Sequence, residues 1–175
     1  MTDKTQDLLF DLTLTDEQRM NRESMQRFAA AEMRVLSKAV DAGDSPAHDF
    51  YPKTAELGLT VLPIPEALGG AGVERSPTSN ALIFEDLAHG DMAMTLGSVT
   101  PMSFVNTLLD QGSDAQRERY LPLFCSGEFK AATTALLEPR ATFEPTAPTT
   151  TAVANKDGYR LSGTKCMVPL GMDSE

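Results

Sequence analysis

Apolar side chains recur at steps of three and four from Met25 through Phe28, Ala29, Met33, Leu36 and Val40, the spacing of one helix face. Thr15-Asp16-Glu17-Gln18 stands just before this stretch and reads as a capping box: a hydroxyl at the N-cap, a Gln three residues on, and acids facing the helix dipole. Gly43-Asp44-Ser45-Pro46 supplies the stop, so the pattern predicts a first helix over 16–42. A short second helix is expected from Phe50 to Leu57, with Gly58 closing it. The apolar run from Leu59 to Gly72 then carries Pro63, Pro65, Gly69, Gly70 and Gly72, which exclude a regular helix or a central strand. Its Gly-Gly-Ala-Gly lacks the spacing and the strand-turn-helix frame of a phosphate cradle, so a tight structural turn is expected.

Ser76-Pro77 opens a third helix that Ala81, Leu82, Phe84, Glu85, Leu87 and Ala88 carry to His89-Gly90. The fourth is apolar on nearly every side, from Met92, Ala93, Met94 and Leu96 to Leu108 and Leu109, broken only by Pro101. A helix without a polar face is buried or lies against a ligand, and its methionines and Phe104 suit a core first. Ser113-Asp114-Ala115-Gln116 caps a fifth helix running towards Phe124. Beyond it the period changes. Residues 129–137, 149–155 and 159–168 are rich in Thr, Val, Leu and Ala and predict strands, with Lys156-Asp157-Gly158 as a hairpin turn and 140–148 as a surface loop. The run from Tyr120 to Pro139 is thus a junction between a helical domain and a β-domain, and the fold class is α+β.

Composition narrows the classes. Hydrophobic residues are 41% and charged residues 23% of 175, a globular profile with enough length for one domain or one and part of another. Fifteen Lys and Arg against 25 Asp and Glu give a net charge of -10, which argues against a broad nucleic-acid surface and leaves room for a local basic pocket. The acidic N-terminus has no apolar leader core, and no segment approaches the ~20 apolar residues of a bilayer span, so a cytoplasmic protein is expected.

The candidate chemistry is sparse. Cys125 and Cys166 lack metal or redox spacing and read as reduced core thiols. His48 and His89 stand in loop or helix-end positions suited to solvent, and neither makes a good general base. The carboxylates are scattered along helix faces, so no metal ligands are assigned, and Glu85 and Asp86 read as solvated or salt-bridged.

Short motifs run in order along the whole chain: Glu56-Leu57-Gly58, Pro65-Glu66-x-x-Gly69-Gly70-x-Gly72, Glu85-x-Leu87-Ala88-x-x-Asp91, and Gly112-Ser113-x-x-Gln116. They continue with Tyr120-Leu121-Pro122, Ser126-Gly127-Glu128, Ala135-Leu136-x-Glu138-Pro139, and Asp157-Gly158-Tyr159-x-Leu161-x-Gly163-x-Lys165. In this order the chain resembles the N-terminal part of the acyl-CoA dehydrogenase family. The resemblance implies an N-terminal arm over 1–14, an all-helical domain over 15–127 and, over 128–175, the first strands of a β-barrel-like middle domain. It implies FAD as cofactor, with its ring between the β-domain and the helices, and an acyl-CoA substrate alongside. It also implies lipid metabolism by fatty acid β-oxidation, an electron-transfer partner, and a homo- or hetero-oligomer. The family's catalytic carboxylate lies in a C-terminal domain that this chain does not contain, so no catalytic residue is assigned and the chain alone is expected to be inactive.

Cofactor contacts carried over by the resemblance are Leu136 and Leu137 before Glu138-Pro139, and Met167 and Pro169 on the last strand; substrate contacts are Met94 and Arg140. Several depart from the family pattern. Leu137 stands where a threonine commonly donates to the flavin, Met167 where an aromatic often packs, and Pro169 where a hydroxyl is usual. Arg140-Ala141-Thr142-Phe143-Glu144 replaces the usual glycine-serine-aspartate segment, with Arg140 as the remaining source of charge. These departures leave two other readings open: a catalytically silent or flavin-poor partner subunit of a dehydrogenase complex, and a helical acyl-CoA-binding module without redox chemistry.

Overall fold

The computed structural model describes residues 13–46 and 49–174. Residues 1–12 of the expected arm, and His48, lie outside them. Helix α1 (Asp16–Phe28) begins at the capping box: Thr15 Oγ1 accepts the Gln18 amide at 3.1 Å, and Gln18 Oε1 accepts the Thr15 amide at 3.0 Å. The helix then widens into a π turn (Ala29–Met33) and resumes as α2 (Arg34–Asp41). The helix expected over 16–42 is therefore one rod with a wide turn in its middle. Gly90 packs against that turn, where a Cβ would lie 2.9 Å from the Ala29 carbonyl oxygen and 2.9 Å from Met33 Cβ.

Helix α3 (Phe50–Ala55) is shorter than expected, and the apolar run after it folds into turns with one 3-10 turn at Glu66–Leu68. Its glycines are structural, because a Cβ on Gly70 would fall 2.0 Å from the Ile64 carbonyl oxygen. Ser76 caps α4 (Pro77–Ala88) and Asp91 caps α5 (Met92–Gln111). Helix α5 runs unbroken through Pro101, which is fully buried, so packing on both sides outweighs the backbone hydrogen bond that proline cannot make. Helix α6 (Asp114–Tyr120) stops short of Phe124, and the chain tightens into a 3-10 turn (Leu121–Cys125) around Pro122.

Two apolar clusters hold the helices together. Met25, Met33, Phe50, Ile83, Leu87 and Met94 join the long rod, α3, α4 and α5. Ile64, Val105, Leu108, Leu121 and Phe124 form a second cluster at the other end of α5, and Ala132 ties the following segment to it.

The segment expected as a first strand, 129–137, is not one. It has no ladder partner, and its backbone bonds elsewhere: the Thr134 amide donates to Ser103 Oγ at 3.3 Å, and the Leu137 carbonyl accepts the Cys166 amide at 3.0 Å. The other two strands form an antiparallel hairpin, β1 (Thr151–Asn155) and β2 (Gly158–Ser162), with Thr151 opposite Ser162 and Asn155 opposite Gly158. Both are shorter than expected. Thr149 and Thr150 are drawn onto a carboxylate, and past Ser162 the chain turns irregular, with left-handed φ of 48° at Met167 and 52° at Leu170. The architecture is α+β, a helical N-terminal domain followed by the first two antiparallel strands of the next.

Candidate functional site

A groove of about 440 Å3 runs along the seam between the helices and the chain that follows them. Its helical wall comes from Asn80 and Phe84 on α4 and from Val99, Thr100, Met102, Ser103 and Asn106 on α5. Facing them are Thr133, Thr134, Leu136 and Leu137, and then Met167, Val168 and Pro169. Four candidates from the sequence, Leu136, Leu137, Met167 and Pro169, thus meet in one place although the whole hairpin separates the two pairs. Leu136, Leu137 and Met167 expose 50%, 39% and 84% of their surface, an apolar wall that none of the described residues covers.

Glu138 holds that wall together. It is 2% exposed. Its Oε2 accepts the Thr149 amide at 2.7 Å and the Thr149 hydroxyl at 2.6 Å; its Oε1 accepts the Thr150 amide at 2.9 Å and hydroxyl at 2.8 Å. Lys165 Nζ donates both to Glu138 Oε1 and to the Leu136 carbonyl, each at 3.0 Å. The Thr149 hydrogen bonds foremost, with those from Thr150, keep the carboxyl well below the usual carboxylate range against the opposing effect of burial. Glu138 is therefore ionised and fully engaged. It fixes Leu136 to the start of β1 and to the segment leading into Met167, and Met167 itself is set at the rim by its left-handed backbone.

On the helical wall most hydroxyls turn back into the protein. Thr100 Oγ1 donates to the Leu96 carbonyl at 2.6 Å, and Ser103 Oγ donates to the Thr100 carbonyl at 2.7 Å while accepting the Thr134 amide. The exception is Asn106, whose Oδ1 is buried without a hydrogen-bond partner among the described residues. Across the groove, the amides of Leu136 and Leu137 donate to no group among the described residues. Thr100, Ser103 and Asn106 were not singled out in the sequence. Their signal was there, a polar residue at every third position from 100 to 106.

The two remaining candidates lie elsewhere. Met94 is 1% exposed and fills the first apolar cluster. Arg140 braces the loop before β1: it donates to the Ala147 carbonyl at 2.8 Å, lies over the Phe143 ring at 5.8 Å, and sits 3.8 Å from Glu138.

Other polar groups are already paired. In the cleft between α1 and α4, Asp86 accepts two hydrogen bonds from Arg22, at 2.8 and 2.9 Å, and one from Gln26 at 3.0 Å. The Arg22 hydrogen bond holds the Asp86 carboxyl below its usual range. His89 is exposed and contacts Arg34. Cys125 and Cys166 are free and half-buried, and burial pushes the Cys125 thiol up, away from nucleophilic use. Among the described residues no cluster of three or more His, Cys, Asp or Glu can hold a metal, and no helix is long and apolar enough to cross a membrane.

Residues 15–128 match the family model described as acyl-CoA dehydrogenase, N-terminal domain. The chain is 30% identical over 165 residues to acryloyl-CoA reductase (NADH) of Anaerotignum propionicum, covering 92% of the chain and 41% of the relative. It is 30% identical over 156 residues to the mitochondrial short-chain specific acyl-CoA dehydrogenase of Sus scrofa, covering 89% of the chain and 37% of the relative. The solved butyryl-CoA dehydrogenase from Megasphaera elsdenii superposes with a TM-score of 0.77 at 25% identity, over 95% of this chain and 44% of that one. The chain spans about two fifths of the length of these relatives.

Proposed function

The chain belongs to the acyl-CoA dehydrogenase family, and from that premise we propose that its groove is the flavin and acyl-thioester site of an FAD-dependent acyl-CoA dehydrogenase, desaturating the α–β bond of an acyl-CoA. One observation carries this reading: Leu136, Leu137, Met167 and Pro169 converge opposite the groove face of α5, around a volume within the roughly 300–1,000 Å3 of cofactor and substrate pockets. Residues 15–127 serve as the helical domain, and 128–175 begin the β-domain.

The residues present fit a flavin. An isoalloxazine ring is apolar on its faces and hydrogen-bonding along one edge. Leu136, Leu137 and the Met167 thioether offer apolar contact, and the free amides of Leu136 and Leu137 offer donors to the edge. FAD, when bound, supplies the two-electron acceptor for the oxidation. The protein's own part is to orient and to exclude water: Phe84, Val99 and Met102 line the helical side against an acyl chain, and Glu138 keeps the opposite wall in register. Glu138 is not the base for the α-proton, because its oxygens are occupied by Thr149, Thr150 and Lys165. An electron-transfer protein is the expected electron acceptor, and an oligomer the expected state.

A specific observation favours a second reading. Leu137 has no hydroxyl and Pro169 has neither a hydroxyl nor an amide proton, so two donors to the ring's edge are missing and a flavin-poor partner subunit is the alternative. Purifying the product of the chain's own locus decides between them. Yellow protein whose flavin bleaches anaerobically with an acyl-CoA is expected for the dehydrogenase. Colourless protein that gains flavin only with a dehydrogenase partner supports the subunit, and protein colourless in both settings refutes both.

A further inference from the structure

We propose that Asn106 makes this groove selective for an acyl group that carries a hydroxyl or similar hydrogen-bonding group beyond its β-carbon, in preference to a plain hydrocarbon chain. The proposal rests on the reading of the groove as an acyl-thioester site. Its ground is the unpaired carboxamide oxygen. Asn106 Oδ1 is buried with no hydrogen-bond partner, on a wall where the neighbouring Thr100 and Ser103 hydroxyls are spent on α5's own carbonyls. Asn80, on the neighbouring helix α4, lines the same groove, and its side chain makes no hydrogen bond among the described residues.

Two carboxamides therefore present hydrogen-bonding capacity to a space otherwise walled by Phe84, Val99, Met102 and Leu136. The Asn106 oxygen is already closed off from water, and a hydrocarbon chain that fills this space leaves it unsatisfied. A chain bearing a hydroxyl satisfies it, and because a hydroxyl both donates and accepts, it serves whichever way the carboxamide is turned. Pairing a buried polar atom that is otherwise unsatisfied strengthens binding by roughly tenfold, and sites built to hydrogen-bond a substrate group discriminate strongly against analogues lacking it.

The test is calorimetric titration of the FAD-loaded product of the chain's own locus with two matched pairs: butyryl-CoA against 4-hydroxybutyryl-CoA, and valeryl-CoA against 5-hydroxyvaleryl-CoA. The expected result is about tenfold tighter binding of the hydroxylated member of at least one pair. In Asn106→Leu, and in the smaller Asn106→Ala, that preference is expected to disappear. Equal or weaker binding of both hydroxylated thioesters by the native protein overturns the proposal, as does a preference that survives both substitutions. Loss of FAD from both variants with the acyl preference unchanged also overturns it, and assigns the carboxamide to the cofactor. Absorbance at the flavin band is followed in the same cell. A tenfold preference without bleaching sinks the dehydrogenase reading and leaves this inference standing, whereas bleaching without any preference does the reverse.

Discussion

The helical and β regions of this chain are held by different means. Around α1 to α5, stability is spread over many apolar contacts: Met33, Phe50, Leu87 and Met94 are each at most 1% exposed. In the hairpin every residue faces solvent, including Val153, Tyr159 and Leu161 at 54%, 73% and 72% exposure, and attachment to the rest centres on one buried carboxylate, beside the Lys165 and Cys166 bonds to the Leu136 and Leu137 carbonyls. The first arrangement tolerates small losses at many points. The second concentrates orientation in Glu138, which lets an open apolar wall be positioned at the seam without being covered by its own fold.

Substitutions at matched sites sharpen this contrast. Phe50→Ala should destabilise the helical region by about 3–5 kcal/mol, read from denaturant unfolding followed by helical circular dichroism. Glu138→Gln sets an amide donor among donors. Hydrogen exchange should then show loss of protection over 149–165 while the helical unfolding transition keeps its midpoint. A parallel loss of the helical transition would show that the two regions are not independently held.

Acid should act in the same direction. The folded Glu138 carboxyl lies below its ordinary 4.5, so the stabilisation it gives is complete above that value and is lost as pH falls through the folded one. Protection of the hairpin should hold from neutrality to about pH 4.5 and decline below it, as exchange measured across that range would show. Smaller effects complete the series. Thr15→Ala removes the cap of α1 and should cost about 1 kcal/mol of helical stability. Leu161→Ala, a large apolar truncation on paper, should change stability by less than about 0.5 kcal/mol because its side chain is already in water.

The starts of α1, α4 and α6 were legible because each carries its own boundary chemistry. Thr15, Ser76 and Ser113 cap as hydroxyl residues can, and the three- and four-step spacing of Met25, Ala29 and Met33 marks a buried face. The π turn at Ala29–Met33 was not legible, since it arises where Gly90 presses against the rod, a contact between segments far apart in sequence. The expected strand over 129–137 failed for a related reason: β-propensity does not supply a neighbour, and Thr134 and Leu137 find their partners in Ser103 and Cys166. At the groove, the Glu138-Pro139 and Gly163-x-Lys165 motifs marked two segments that meet, but their joint role as an anchor shows only in the hydrogen bonds between them. Asn106 was passed over because one more polar residue on a largely apolar helix gains meaning only once its oxygen is seen to lack a partner among the described residues.

The account's central claim is that the seam groove seats a flavin against Leu137 and Met167. Flavin stoichiometry of the purified product of the chain's own locus, native and Leu137→Asp, measured from the absorbance spectrum, tests it most directly. The native protein should retain FAD, and the variant should lose it while its helical unfolding midpoint stays in place, since Leu137 lies on the wall and outside both apolar clusters. Flavin retained equally by the two proteins, or absent from the native one, would contradict the claim.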